Sequence, residues 1–295
     1  MIFSKQDLEA LCETAKVAAV VAGKYIQSQF DKHYNKGIKD GANSLAAQVV
    51  TEVDIKAQTI ILEHLKDSIR EYDLGVLTEE SSDDRSRLEK DYFWCIDPLD
   101  GTLPFTEGRA GYAVSIALIA KSGDPIVGVV YIPDLALCYT AVKRSGVWVN
   151  GEPVVRKKPI NDKTLHIYVD SSFIITPHFD ALTNKFSAWA KEHHYTGVEY
   201  YDGFGAVYNA ISVMNSKSAC YFKFPKKQNG GGSIWDFAAT CFFFEELGLN
   251  VSNCAGNNLQ LNNANSTFMN EEGVIYATDQ ILARFILDLS SHHSS

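Results

Sequence analysis

Tyr92-Phe93-Trp94-Cys95-Ile96-Asp97-Pro98-Leu99-Asp100-Gly101-Thr102 is where the chain changes character. The five apolar residues read as a buried strand, and two carboxylates three positions apart follow at once. An unpaired buried charge is very costly, so acids at the end of such a strand need a partner. A divalent cation is the most economical one. Hard cations such as Mg²⁺ and Mn²⁺ take oxygen ligands from carboxylates, carbonyls, hydroxyls and water. Taken alone, Asp97-Pro98 and Asp100-Gly101 are also ordinary turn formers.

Other acids tip the balance. Thr78-Glu79-Glu80-Ser81 follows the short apolar run Leu74-Gly75-Val76-Leu77. Val49-Val50-Thr51-Glu52-Val53-Asp54 lies upstream, and Ser233-Ile234-Trp235-Asp236-Phe237-Ala238-Ala239 far downstream. Each sets an acid at the edge of an apolar segment. Singly, they have plainer readings: Asp236 as a helix cap, and Asp54 as a helix-dipole partner, a role that Glu52 fills better. Asp83 and Asp84 read as acids of a solvated loop.

Together the four segments resemble the inositol monophosphatase superfamily of Mg²⁺-dependent, lithium-sensitive phosphomonoesterases. That superfamily includes the 3'(2'),5'-bisphosphate nucleotidases and the fructose-1,6-bisphosphatases. The string Asp97-Pro98-Leu99-Asp100-Gly101-Thr102 is the specific part, and the likeness runs over nearly the whole chain. It implies an α+β and α/β fold: a layered αβαβα sandwich with its active site between two lobes. We place the lobes at 1–155, carrying most metal ligands, and 156–295, carrying Asp236 and the substrate-selecting residues.

The resemblance also implies roles. Asp97 bridges two metal ions. Glu79 and the main-chain carbonyl of Leu99 complete one site, and Asp100 and Asp236 hold the second. Asp54 reaches a third, loosely held cation. The implied cofactor is Mg²⁺, as two or three ions, with Mn²⁺ as a substitute and Li⁺ and Ca²⁺ as inhibitors. Thr102 orients or helps deprotonate the attacking water, paired with Glu79 or Asp54. Gly101 lets the backbone approach the phosphate, and the amides of Gly101 and Thr102 receive it.

Substrate choice falls in the second lobe. Gly203-Phe204-Gly205-Ala206-Val207-Tyr208-Asn209 occupies the place of the family's substrate-contacting turn, with Gly205 in it. Where inositol phosphatases carry an acid, this chain has Lys223, as the nucleotidases place a base to meet a second phosphate. Lysine serves as a point-charge phosphate partner; its plain reading is a surface residue at a strand end. Leu103-Pro104, Asn209 and the long 223–232 stretch match neither branch. An inositol monophosphate, a bisphosphate nucleotide and a sugar bisphosphate all stay open, as does a catalytically idle metal- or phosphate-binding protein. The resemblance covers monomers and homodimers.

With 295 residues, 46% of them hydrophobic, the chain can bury a large core. Its net charge of −9 argues against nucleic-acid polymers and anionic membranes as partners, but not against a small anionic ester. Cys12, Cys95, Cys138, Cys220, Cys241 and Cys254 form no CxxC pair and read as small buried hydrophobes in a reducing compartment. The start of the chain lacks a signal-peptide core, and no apolar run reaches membrane-span length; a cytoplasmic protein is expected. His193-His194 and His292-His293 lack zinc-site spacing and read as surface residues.

Ser4 and Asp7 predict a capping box for a helix with Leu8, Leu11, Ala15, Ala18, Ala19, Ala22, Tyr25 and Ile26 inward. Residues 30–48 read as a loop or short hairpin. A second helix is expected over 52–68 with Ile55, Thr59, Ile60, Leu62 and Leu65 inward. Strands follow at 75–78, 92–97, 113–120, 125–132 and 137–142. Beyond residue 160 strands (165–170, 195–200, 219–224) alternate with helices (179–191, 205–215, 233–247), the pattern of α/β layering.

Overall fold

The computed structural model describes residues 2–29, 36–38, 49–156 and 163–291. Its helices are α1 (Lys5–Ser28), α2 (Glu52–Glu71), α3 (Thr102–Thr106), α4 (Ser171–Ile174), α5 (Phe179–Glu192), α6 (Ala206–Asn215), α7 (Ile234–Glu246) and α8 (Gln280–Ser291). Strands β1 (Lys36–Ile38) and β2 (Val49–Thr51) pair antiparallel. The remainder of 30–48, and His292-His293, lie outside the described residues.

A seven-stranded sheet runs in sequence order: β3 (Gly75–Thr78), β4 (Tyr92–Asp100), β5 (Ala113–Ala120), β6 (Pro125–Ile132), β7 (Leu137–Val142), β8 (Val147–Val149) and β9 (Glu152–Pro153). The second sheet holds β10 (Thr164–Tyr168), β11 (Gly197–Tyr201), β12 (Ala219–Lys223), β13 (Asn250–Ser252) and β14 (Val274–Ala277), in the order β11-β10-β12-β14-β13. β10 pairs parallel with β11 and β12, while β14 runs antiparallel to β12 and β13.

Burial separates the layers. Ala15, Ala18, Ala22 and Ile26 of α1 and Val53, Ala57, Ile61 and Leu65 of α2 pack on Trp94, Ile96, Ile116 and Val127 of the first sheet. On the sheet's other face, Phe93, Cys95 and Ala117 meet α6 and α7, which in turn meet Tyr221 and Tyr276 of the second sheet. Leu182 and Phe186 of α5 and Leu282 and Ile286 of α8 cover that sheet's far face. The order is helix, sheet, helix, sheet, helix: the αβαβα sandwich. Buried between two sheets, α7 is apolar nearly all round, as a fully enclosed helix must be.

The capping box of α1 forms, with the Ser4 N–H and hydroxyl both on the Asp7 carboxylate (2.9 and 2.6 Å). The expected inward face of α2 is corrected: Ile55 is 51% exposed and Thr59 is exposed, while Val53, Ala57 and Ile61 turn inward. Packing on α1, rather than the count of apolar residues, sets that face. β14 and α8 were absent from the expected elements. The first sheet occupies 75–153 and the second 164–277.

Candidate active site

Side chains three apart on a regular strand face opposite sides of the sheet. Asp97 pairs with Ser115 and Asp100 with Ala113, so the ladder slips by one residue between them. This bulge lets both acids reach one place. Asp97 is 0% and Asp100 5% exposed. With Asp236 they form a group whose ligand oxygens all lie within 4.8 Å of one another.

Each acid is held differently. Asp97 Oδ1 accepts the Leu99 N–H at 3.0 Å, while its Oδ2 is buried with no hydrogen-bond partner among the described residues. Asp100 sits on the N-terminus of α6: Oδ1 accepts the Ala206 N–H, and Oδ2 accepts those of Val207 and Tyr208, at 2.9, 2.9 and 3.4 Å. Gly205 makes this possible, because a Cβ there would overlap the Asp100 carboxylate. Asp236 lies in the first turn of α7 and accepts the Ser233 N–H. The cap and ligand readings of Asp236 therefore coexist.

Glu79 follows β3, its N–H bonded to the Ile96 carbonyl at 3.2 Å, which brings it beside Asp97. Burial pushes the Asp97 carboxyl well above its ordinary range, and the charges of Glu79, Asp236 and Asp100 push it further. Burial also raises Asp100 well above that range, with Asp236 adding to it and the α6 amides opposing. Asp236 rises by burial against the pull of Lys223. Like charges in a low dielectric cannot all ionise without a counter-cation. An orphaned carboxylate oxygen in such a group fits a divalent metal ion.

The other expected residues are placed as follows. Asp54 is 2% exposed, in the first turn of α2. Gly101 adopts φ +84° and caps the short α3, where a Cβ would meet the Gly111 carbonyl. Thr102 opens α3, and its hydroxyl donates to the Leu99 carbonyl at 3.2 Å. Leu103-Pro104, the departure from the family string, lies in the first turn of α3, where proline's missing N–H goes unneeded. Lys223 ends β12, 18% exposed, with its ammonium 2.8 Å from Asp170 Oδ2 and 2.6 Å from the Gly231 carbonyl. Asn209 is fully buried and directs its amide toward the Phe204 carbonyl.

Sequence reading overlooked two residues that shape the site. Gln58 binds the Thr78 hydroxyl (2.5 Å), the Glu80 N–H (3.1 Å) and the Ser81 hydroxyl (2.8 Å), fixing the turn that carries Glu79. Asp170, the Lys223 partner, also accepts the Tyr221 hydroxyl at 3.3 Å. Its signal was only an acid at the end of a predicted strand. All six cysteines are free, five of them buried.

Among the described residues, no helix is long and apolar enough to cross a membrane.

Comparison with known proteins follows the same lines. The inositol-1-monophosphatase of Synechocystis is 31% identical over 255 residues, covering 85% of this chain and 81% of that protein. The 3'(2'),5'-bisphosphate nucleotidase CysQ of Salmonella typhimurium is 29% identical, covering 85% and 92%. A fructose-1,6-bisphosphatase/inositol-1-monophosphatase of Aquifex aeolicus is 32% identical over 150 residues, so the chain spans about half of that relative's length, 53%. The fold matches the IMPase of Thermotoga maritima with a TM-score of 0.71 at 20% identity, covering 96% of this chain and 98% of that one. The sequence profile of the inositol monophosphatase family matches residues 7–294, and with its bulged strand end, carboxylate group and five-layer sandwich the chain belongs to that family of phosphatases.

Proposed function

We propose that this protein is a Mg²⁺-dependent phosphomonoesterase that hydrolyses a small phosphate ester by metal-activated water. The observation that carries the reading is the buried, unpartnered Asp97 Oδ2 inside the Asp97–Asp100–Asp236 group. Asp97, Glu79 and the Leu99 carbonyl would hold one ion, and Asp100 and Asp236 a second; Asp54 would serve a third. When bound, the ions supply an activated water and charge stabilisation for the leaving oxygen.

The chain itself does the positioning, which is most of catalysis in phosphoryl transfer. Gly101, at φ +84° against the Gly111 carbonyl, makes the turn into α3, and Thr102, placed by its bond to the Leu99 carbonyl, would orient the attacking water. Gly205 keeps the second-lobe turn against Asp100. Lys223 stands on the Asp236 side, electrostatically linked to both Asp236 and Asp100. A base at this position, where the resemblance puts the nucleotidases' second-phosphate partner, supports a 3'(2'),5'-bisphosphate nucleotide ahead of an inositol monophosphate. A sugar bisphosphate is the alternative. A net charge of −9 and five buried free thiols fit a small-molecule enzyme of the cytoplasm rather than a binder of nucleic-acid polymers.

Phosphate release from inositol 1-phosphate, adenosine 3',5'-bisphosphate and fructose 1,6-bisphosphate tests this, with Mg²⁺, Mn²⁺, Ca²⁺ and Li⁺ as variables. Turnover that requires Mg²⁺ or Mn²⁺ and is inhibited by Li⁺ and Ca²⁺ is expected. No turnover on any ester despite measurable Mg²⁺ binding would leave a binding protein of the same fold.

A further inference from the structure

Lys223 is separated from Asp236 by the turn Pro225-Lys226-Lys227-Gln228-Asn229-Gly230-Gly231-Gly232. The three glycines all adopt positive φ, at 105°, 81° and 122°. Such a turn has little rigidity of its own, because glycine gives up more freedom on ordering than any other residue. Yet it must deliver Asp236 to the carboxylate group within a fraction of an ångström. Something has to hold it.

Both ends are pinned by backbone: the Lys226 N–H bonds to the Asn270 carbonyl (2.8 Å), the Met269 N–H to the Gly232 carbonyl (3.1 Å) and, at the start of α7, the Ile234 N–H to the Thr267 carbonyl (2.9 Å). Gly231, between the two pinned ends and next to Gly232, is held by a side chain. The Lys223 ammonium donates to its carbonyl at 2.6 Å and, at 2.8 Å, to Asp170 Oδ2. Asp170 is fixed in turn by the Tyr221 hydroxyl on its other oxygen. The ammonium also lies 6.0 Å from the Tyr221 ring centroid and 5.8 Å from that of Phe237, the residue after Asp236.

We propose that Lys223 is a positioning residue: its ammonium, shared between Asp170 and the Gly231 carbonyl, holds the glycine turn that sets Asp236 in the carboxylate group. This rests on the metal-site reading above and adds to Lys223 a role separate from meeting a second phosphate. Groups that orient ligands from behind typically change metal affinity 10- to 100-fold when removed.

The sign of the effect makes the proposal testable. A lysine acting only as a nearby positive charge repels Mg²⁺, and its neutralisation would tighten metal binding. A lysine that holds the turn does the opposite. Titration calorimetry of the full chain with Mg²⁺, without substrate, reads this directly. Lys223→Met is expected to weaken Mg²⁺ about tenfold, and Lys223→Arg, which keeps charge and donors, to recover most of the loss. Asp170→Asn should weaken Mg²⁺ similarly, and the double variant no further, because both act through one contact. Thermal melts identify any variant that fails to fold, for which the Arg and Asn variants carry the test. Unchanged or tighter Mg²⁺ binding in folded Lys223→Met, or losses that multiply in the double variant, overturn the proposal. A wild type that binds no Mg²⁺ overturns the metal-site reading itself.

Discussion

Asp97 and Asp100 reach the carboxylate group along one continuous strand, whereas Asp236 reaches it on a helix entered through three consecutive glycines at positive φ. The strand is paired on both sides, with β3 and β5, as far as Ile96, and its acid-bearing end continues on β5 and is nearly fully buried. The helix entry is held by contacts from distant parts of the chain: Asn270, Met269, and Lys223 with Asp170. One half of the site is rigid because its own strand is locked in a sheet. The other is rigid only as far as long-range contacts make it so. Substitutions in the first half should therefore act through chemistry, and those in the second through placement.

The largest effect is expected in the first half. Asp97→Asn removes the acid that both proposed ions share. Turnover should fall by about a thousandfold or more, the rate equivalent of about 4 kcal/mol. The metal-free variant should melt no lower than wild type, because a buried carboxyl already pushed well above its ordinary range is itself a cost to folding. Near-normal phosphate release from this variant would end the two-ion assignment.

The joint between the halves breaks next. Gly205→Ala puts a methyl into the Asp100 carboxylate, and overpacking of this kind costs about 1–3 kcal/mol. Urea denaturation should show that loss together with weaker Mg²⁺ binding. Gly197→Ala is the matched control, since its added Cβ meets only ordinary contacts with Thr164, and it should stay within about 0.5 kcal/mol of wild type. Equal losses in the two variants would show that Gly205 is not kept for Asp100.

The same division explains what was legible in the sequence. Asp97, Leu99, Asp100, Gly101 and Thr102 fall within one short string, so local pattern exposed them as a unit. The bulge that turns both acids the same way was not visible, because it depends on the pairing with β5. Nor was the Thr102 bond to the Leu99 carbonyl, which depends on the short α3 starting at Thr102. In the second half, the strand and helix alternation was read within a few residues of its true bounds. The Lys223–Asp170 pair was not, because it joins positions 53 apart (223 − 170) that the parallel sheet brings together. The inward face of α2 failed for a related reason: a period of 3.6 allows several apolar stripes, and packing on α1 selected the one through Ala57 and Ile61.

Proton linkage compares the two states of the site as a whole. Asp97 and Asp100 have carboxyl groups raised well above their ordinary range, first by burial and then by neighbouring charge. The folded, metal-free chain thus holds protons that the unfolded chain releases near pH 4. Its stability falls as pH rises above that value toward the folded pKa values. The Mg²⁺ proposed for this site would take the same oxygens deprotonated, so its binding would release protons and strengthen with pH. The rise in melting temperature caused by a fixed Mg²⁺ concentration should be larger at pH 8 than at pH 5. Equal rises at both would mean that the metal binds away from these acids.

The smallest expected effect lies in the glycine turn. Gly230 adopts φ +105°, but a Cβ there would meet nothing within 4 Å. Gly230→Ala therefore suffers backbone strain alone, without the overlap that burdens Gly205→Ala. The left-handed region costs an L-residue about 1–2 kcal/mol, partly offset by the reduced freedom of the unfolded chain, so a net loss of about 1 kcal/mol is expected in urea denaturation. Mg²⁺ affinity should drop far less than in Lys223→Met, because the Gly231 carbonyl keeps its ammonium. If instead Gly230→Ala weakens Mg²⁺ as much as Lys223→Met does, the turn's own conformation, and not its tether to Lys223, sets the position of Asp236.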